Sequence, residues 1–160
     1  MKPLPARSWV LVAATLLSAN ACGLSASPAA DLQFAPPPGW RASPAIMGFM
    51  QFWRPPSDDR EVLMLLKSPK SLQSSDFFSQ AHDTVRNVTV ERRERIVICG
   101  DQRATLVRAH GSSSNGEDER IDMLATNAAG NTYFAMYARP ISSQPNANAE
   151  AALRELCPKT

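Results

Sequence analysis

The chain has 160 residues, 44% of them apolar and 20% charged, with 13 Pro, 7 Gly and 3 Cys. That length suits one ordinary domain; it excludes a β/α barrel of ~250 residues and a polytopic membrane protein, and the apolar share excludes a wholly disordered chain. Lys and Arg number 17 against 15 Asp and Glu, but Lys2 and Arg7 both precede the first acid, Asp31. The rest of the chain is therefore neutral, without the basic face that a nucleic-acid binder keeps.

Residues 1–21 read as a signal sequence. Lys2 and Arg7 form its positive end, Trp9–Leu17 a short apolar core, and Ser18-Ala19-Asn20-Ala21 the small residues before Cys22. The core is too short for a comfortable transmembrane helix of ~20 residues. Cys22 stands where a lipobox places the acylated cysteine, followed by Gly23 and an Ala/Ser/Pro-rich stretch ending in Pro36-Pro37-Pro38. Cleavage after Ala19-Asn20-Ala21 with release, or an uncleaved anchor, are the competing fates. Residues 22–38 then form a tether, and 39–160 a single folded body.

In that body, Ala45–Trp53 and Glu61–Lys67 are apolar on both faces, which predicts strands covered on each side. Ser74 or Ser75 caps a predicted middle helix to about Val85 or Arg86, with Phe77, Ala81 and Val85 at helical spacing. Val88–Cys99 is β-like at its ends and carries the charge run Glu91-Arg92-Arg93-Glu94-Arg95, read as a solvated strand edge or hairpin tip. Gln102–His110, Arg120–Thr126 and Thr132–Arg139 alternate as strands, separated by the loop tip Gly111–Asp118 and the turn Asn127–Asn131. A last helix, capped by Asn146 or Asn148, shows an apolar stripe of Ala149, Ala152, Leu153 and Leu156. The order β-β-α-β-β-β-β-α predicts an α+β fold: a largely antiparallel sheet with a middle helix and a C-terminal helix packed on it.

With Cys22 acylated, Cys99 and Cys157 are left as an even pair, and an exported pair is expected to bridge. Two buried free thiols, or a metal site completed by His82 or His110, are the alternatives. The bridge would staple the last helix onto the sheet.

Several features together resemble a PsbP-like domain of exported bacterial proteins. They are Phe34 with Pro38-Gly39-Trp40 before the first strand, the two early apolar strands, the middle helix, the meander and the terminal helix. Ile98-Cys99-Gly100-Asp101-Gln102-Arg103-Ala104 is similar to a recurring Cys-Gly turn before a strand. Tyr133 through Arg139-Pro140, with Leu153 and Leu156-Cys157-Pro158, is similar to the closing segment of such chains. The resemblance spans about residues 32–158. It implies an α/β/α sandwich, a sheet between helical layers, and no catalytic residues to carry over.

No Walker A, GxGxxG or G-x-S-x-G spacing is present. A Ser–His–Asp reading would need His110 with the serines of Gly111–Gly116 and Asp101 or Asp122, or else His82. Trp40 and Trp53 read as core payload or groove walls. Tyr133, Tyr137 and Arg139 share one strand face by period two and form the candidate binding surface. The expected function is a non-catalytic binding or accessory role in the bacterial cell envelope, lipid-anchored or secreted. The partner is an envelope protein or small ligand, with no cofactor, metal or nucleic acid. A small-molecule or lipid carrier using a groove between sheet and helix, and a hydrolase, are the alternatives.

Overall fold

The computed structural model describes residues 28–46, 50–58, 60–72 and 86–159. A 3-10 turn, Pro28–Asp31, leads into β1 (Leu32–Gln33) and β2 (Arg41–Ala42). β3 (Met50–Arg54), β4 (Val62–Ser68), β5 (Arg86–Ile98), β6 (Gln102–Ser112), β7 (Asp118–Ala128) and β8 (Asn131–Pro140) follow. Helix α1 (Ala147–Arg154) and β9 (Cys157–Pro158) close the chain. Seven strands form one sheet in the order β2-β3-β4-β8-β7-β6-β5, and β1 pairs with β9 as a separate ladder. Every pairing is antiparallel.

The expected α/β/α sandwich is therefore corrected. Among the described residues the only α-helix has 8 residues, while β5 to β8 have 13, 11, 11 and 10. The physical reason lies in the charged stretches. Glu91–Arg95 is a solvated stretch of the edge strand β5, one of the two readings its sequence offered, and the β6–β7 strands run out to Ser112 and Asp118, so residues that read as a loop tip extend the ladder. The predicted middle helix, with His82, lies outside the described residues apart from Arg86, which begins β5. The signal sequence and Cys22 lie outside them too.

Two further boundaries move. The single strand expected over Ala45–Trp53 is split: Ile46 and Met50 exchange backbone hydrogen bonds, and Ser43 N–H bonds to Phe52 carbonyl at 2.9 Å. The body also begins earlier than residue 39. Pro28 and Leu32 are buried, and β1 pairs with β9 in the register Leu32↔Pro158 and Gln33↔Cys157.

The two-sided apolar pattern of the early strands is real. Leu63 and Leu65 of β4 enter a core on one face with Leu124, Tyr133, Ala135 and Tyr137, roofed by Ala149, Ala152, Leu153 and Leu156 of the α1 end. Met64 enters a second core on the opposite face with Val107, Ile121, Met123, Met136 and Leu72. Asn146 caps α1, its side chain accepting from Asn148 N and Ala149 N, as a polar N-cap should.

Sheet order places β4 and β5 on either side of β8, β7 and β6. β4 and β5 are therefore about 19 Å apart across the sheet, at the usual strand spacing, and the segment leaving β4 is described as far as Leu72. Its start is clamped. Leu72 N–H donates to Thr132 Oγ1 at 2.8 Å, Asn127 Nδ2 donates to Leu72 carbonyl at 3.2 Å, and the Thr132 hydroxyl faces Lys70 carbonyl and Asn127 Oδ1. Thr132 is fully buried. Thr132→Val keeps the shape but strands a buried amide, so it should cost about 1–3 kcal/mol. A urea midpoint lowered at constant slope is the expected reading, and an unchanged midpoint would remove the clamp.

Candidate functional site

The α1 face carries the residues first considered as a binding surface. Tyr133, Tyr137 and Arg139 do share that face, but it is not open. Tyr133 is 4% and Tyr137 0% exposed, both inside the core under α1. The helix that a strand pattern cannot foresee covers them, so the expected aromatic docking surface becomes a packing surface. Trp40 meets Tyr137 edge-on at 6.2 Å, and Phe34 packs on Trp53 at 5.3 Å. Tyr137 hydroxyl donates to Glu61 Oε2 at 3.2 Å and accepts from Asn146 N–H at 3.1 Å. Burial, with the Glu61 carboxylate adding to it, pushes the Tyr137 phenol up to about 12, so it remains a donor. Arg139 Nη1 donates to Ser143 carbonyl at 2.6 Å, while its Nε is buried without a hydrogen-bond partner.

Beyond the helix the same face turns polar. Cross-strand register aligns His110, Arg120 and Arg139 in one row, and Arg108, Asp122 and Tyr137 in the next. Acids offset these cations. Glu91 takes both Arg120 and His110, the latter at 3.1 Å through Nδ1, and Arg108 reaches Asp122 at 3.6 Å. The His110 hydrogen bond and then the Arg120 charge hold Glu91 below the usual carboxylate range. Burial raises Asp122 despite the Arg108 charge.

The hydroxyls of the β6–β7 tip are turned into that tip. Ser112 Oγ lies 3.5 Å from Asp118 Oδ1, and Ser113 Oγ bonds Asn115 and Glu117 carbonyl. His110 is engaged by Glu91 and Asp122 by Arg108, so the residues weighed for a triad are held by other partners. Asp101 sits in the β5–β6 turn, far along β6 from His110. The anticipated Cys99–Cys157 bridge is formed, with Cα atoms 5.7 Å apart across 58 residues. It joins the β5–β6 turn to β9, and thereby the end of α1 to the sheet.

A concavity lies on the face opposite α1, near the β5 edge. It has a volume of ≈ 620 Å³ and is lined by Arg95, Val97, Arg103, Thr105, Ala125 and Leu72, among others. Register makes Arg95 the partner of Thr105 and Val97 the partner of Arg103. The two guanidinium stems are therefore diagonal neighbours on adjacent strands, roughly 7–8 Å apart at their roots. Arg92 pairs with Glu94, Arg108 with Asp122 and Arg120 with Glu91, whereas Arg95 and Arg103 have no acidic partner among the described residues. Val97 beside them is 63% exposed.

Arg95 and Arg103 were not singled out by sequence reasoning, because the run Glu91–Arg95 looks balanced when read in one dimension. The pleat sorts it. Arg92 and Glu94 fall on one face, Arg93 and Arg95 on the other.

No protein-family model matches the chain, and no curated protein matches it. Among solved structures, the chain is similar to the cyanobacterial PsbP of Synechocystis sp. PCC 6803. Identity is 15%, with 79% of this chain and 87% of that one covered, at a TM-score of 0.52. It is also similar to PA94, a Pseudomonas aeruginosa protein of unknown function, at 11% identity over 69% and 92% of the two chains, with a TM-score of 0.49. The first likeness shows a PsbP-like fold. No helix among the described residues is long and apolar enough to cross a membrane.

Proposed function

We propose that this chain is an exported bacterial envelope protein, held to a membrane by lipid on Cys22, with a binding or accessory role rather than a catalytic one. The observation that carries the reading is the Cys99–Cys157 bridge. Such bonds persist in oxidising compartments outside the cytosol, which is where the leader of residues 1–21 would deliver the chain. A third cysteine, Cys22, at the junction of leader and tether then falls to acylation. The binding role draws support from the groove at Arg95 and Arg103, an open recess on a stapled sheet.

Membrane fractionation of Cys22→Ser tests the anchor. The wild-type chain should sediment with membranes, and the processed variant should appear in the soluble envelope fraction. Retention of the processed variant on membranes would overturn the lipid anchor.

The carrier reading has one observation in its favour, the volume of that same groove, which falls in the range of small-ligand sites. Its place differs from expectation: it opens on the face opposite α1 and not beneath that helix.

A further inference from the structure

We infer that the groove at Arg95, Val97, Arg103 and Thr105 binds a small soluble organic phosphate, the phosphate held between the two guanidinium groups and the organic part laid against Val97, Ala125 and Leu72. The inference rests on the binding role proposed above and names the ligand class of that site.

Charge is the first argument. Three other arginines of this half of the sheet, Arg92, Arg108 and Arg120, each have a carboxylate partner. Arg95, Arg103 and Arg93, which lies two residues along β5 on the same face, have none among the described residues, yet register sets Arg95 and Arg103 as diagonal neighbours. Placing like charges side by side across a ladder costs stability. A bound anion removes that cost.

Chemistry then selects the anion. A guanidinium fork presents paired N–H groups that match two oxygens of an oxyanion. Two forks approaching from adjacent strands present four N–H groups, and a phosphate spreads its acceptors and about two negative charges over three terminal oxygens where a carboxylate has one charge on two. Thr105 stands opposite Arg95 and two residues along β6 from Arg103 on the same face, and its hydroxyl can serve the third. Asn127 also lines the groove, but its amide is already committed to Leu72 and Thr132.

Size decides for an organic ester over inorganic phosphate. At ≈ 620 Å³ the groove is far larger than one phosphate, and its remaining walls include the exposed Val97 with Ala125 and Leu72. A membrane surface fits less well. Anionic bilayers are engaged by clusters of about 4–8 cations on a projecting surface, whereas here two arginines line a concavity that Leu72 also lines.

The test is a ¹⁵N NMR titration of the full chain, with its disulfide formed, using glycerol 3-phosphate and, separately, glycerol. Saturable shifts should appear at the amides of residues 95–97 and 103–105 with the phosphate ester and not with glycerol. Arg95→Gln and Arg103→Gln should each weaken binding about tenfold, and the double variant should abolish it. Both side chains are exposed, so the variants should melt with the wild type. Absence of saturable shifts, or undiminished binding by the double variant, overturns the inference. So does binding confined to phosphatidylglycerol vesicles. These outcomes are independent of the Cys22→Ser fractionation, so the site can fail while the exported, anchored reading holds, and the reverse.

Discussion

Cys99→Ser combined with Cys157→Ser should lower the stability of the oxidised protein by about 4 kcal/mol, the loop-closure entropy released when a link spanning 58 residues is lost. Few single features of this chain carry as much. The bridge fixes β9 to the β5–β6 turn, and β9 follows the end of α1 directly. Without it the helix must hold its place by packing alone, through Ala149, Ala152, Leu153 and Leu156. Cys99 has a left-handed backbone, with φ 56°. Serine is no better suited to that conformation than cysteine, so the substitution reads the bond rather than the turn. Thermal melts with and without reductant check it. Wild type should fall to the level of the variant when reduced, and the variant should not move. Equal melting of the two oxidised proteins would mean that the bridge contributes nothing.

Tyr137→Ala should be of similar size, about 3–5 kcal/mol, because it empties a site at the centre of the α1-face core. Tyr137→Phe separates the ring from the hydroxyl. It keeps the packing against Trp40 and removes the group that accepts from Asn146 N–H and donates to Glu61. Since Asn146 is the cap of α1, a loss of about 1–2 kcal/mol is expected, with reduced amide protection in the first turn of the helix. Chemical denaturation of the pair gives both numbers. If Tyr137→Ala were as stable as wild type, the ring would not be core, and the docking surface first read from its strand would return.

Strand positions, the terminal helix with its stripe, and the cysteine pair were legible because each rests on local periodicity or on an even count. What the strand pattern cannot encode is cover. Tyr133, Tyr137 and Arg139 share a face by the two-residue repeat whether or not a helix lies on it. The ladder between β1 and β9 was invisible for a different reason. Its strands have two residues each and lie more than a hundred positions apart, too short for any alternation to register. The groove hid behind averaging. A mixed-sign run has no net message until the pleat deals its members to opposite sides, and until ion pairs have claimed Glu91 and Glu94.

The joining of the first and last described strands at one corner has a mechanical consequence. Tension arriving through the residues before Pro28 is transmitted first to the 3-10 turn and β1, from there to β9 through the two-residue ladder and the Lys159 N–H to Asp31 carbonyl bond, and directly to β4 through the Lys67–Asp31 ion pair. From β9 it passes along a covalent path into the β5–β6 turn, at the far margin of the sheet. The short ladder is the weakest link on that route. A sustained pull would peel the first few residues away, while β8 and β7 at the centre stay unstressed.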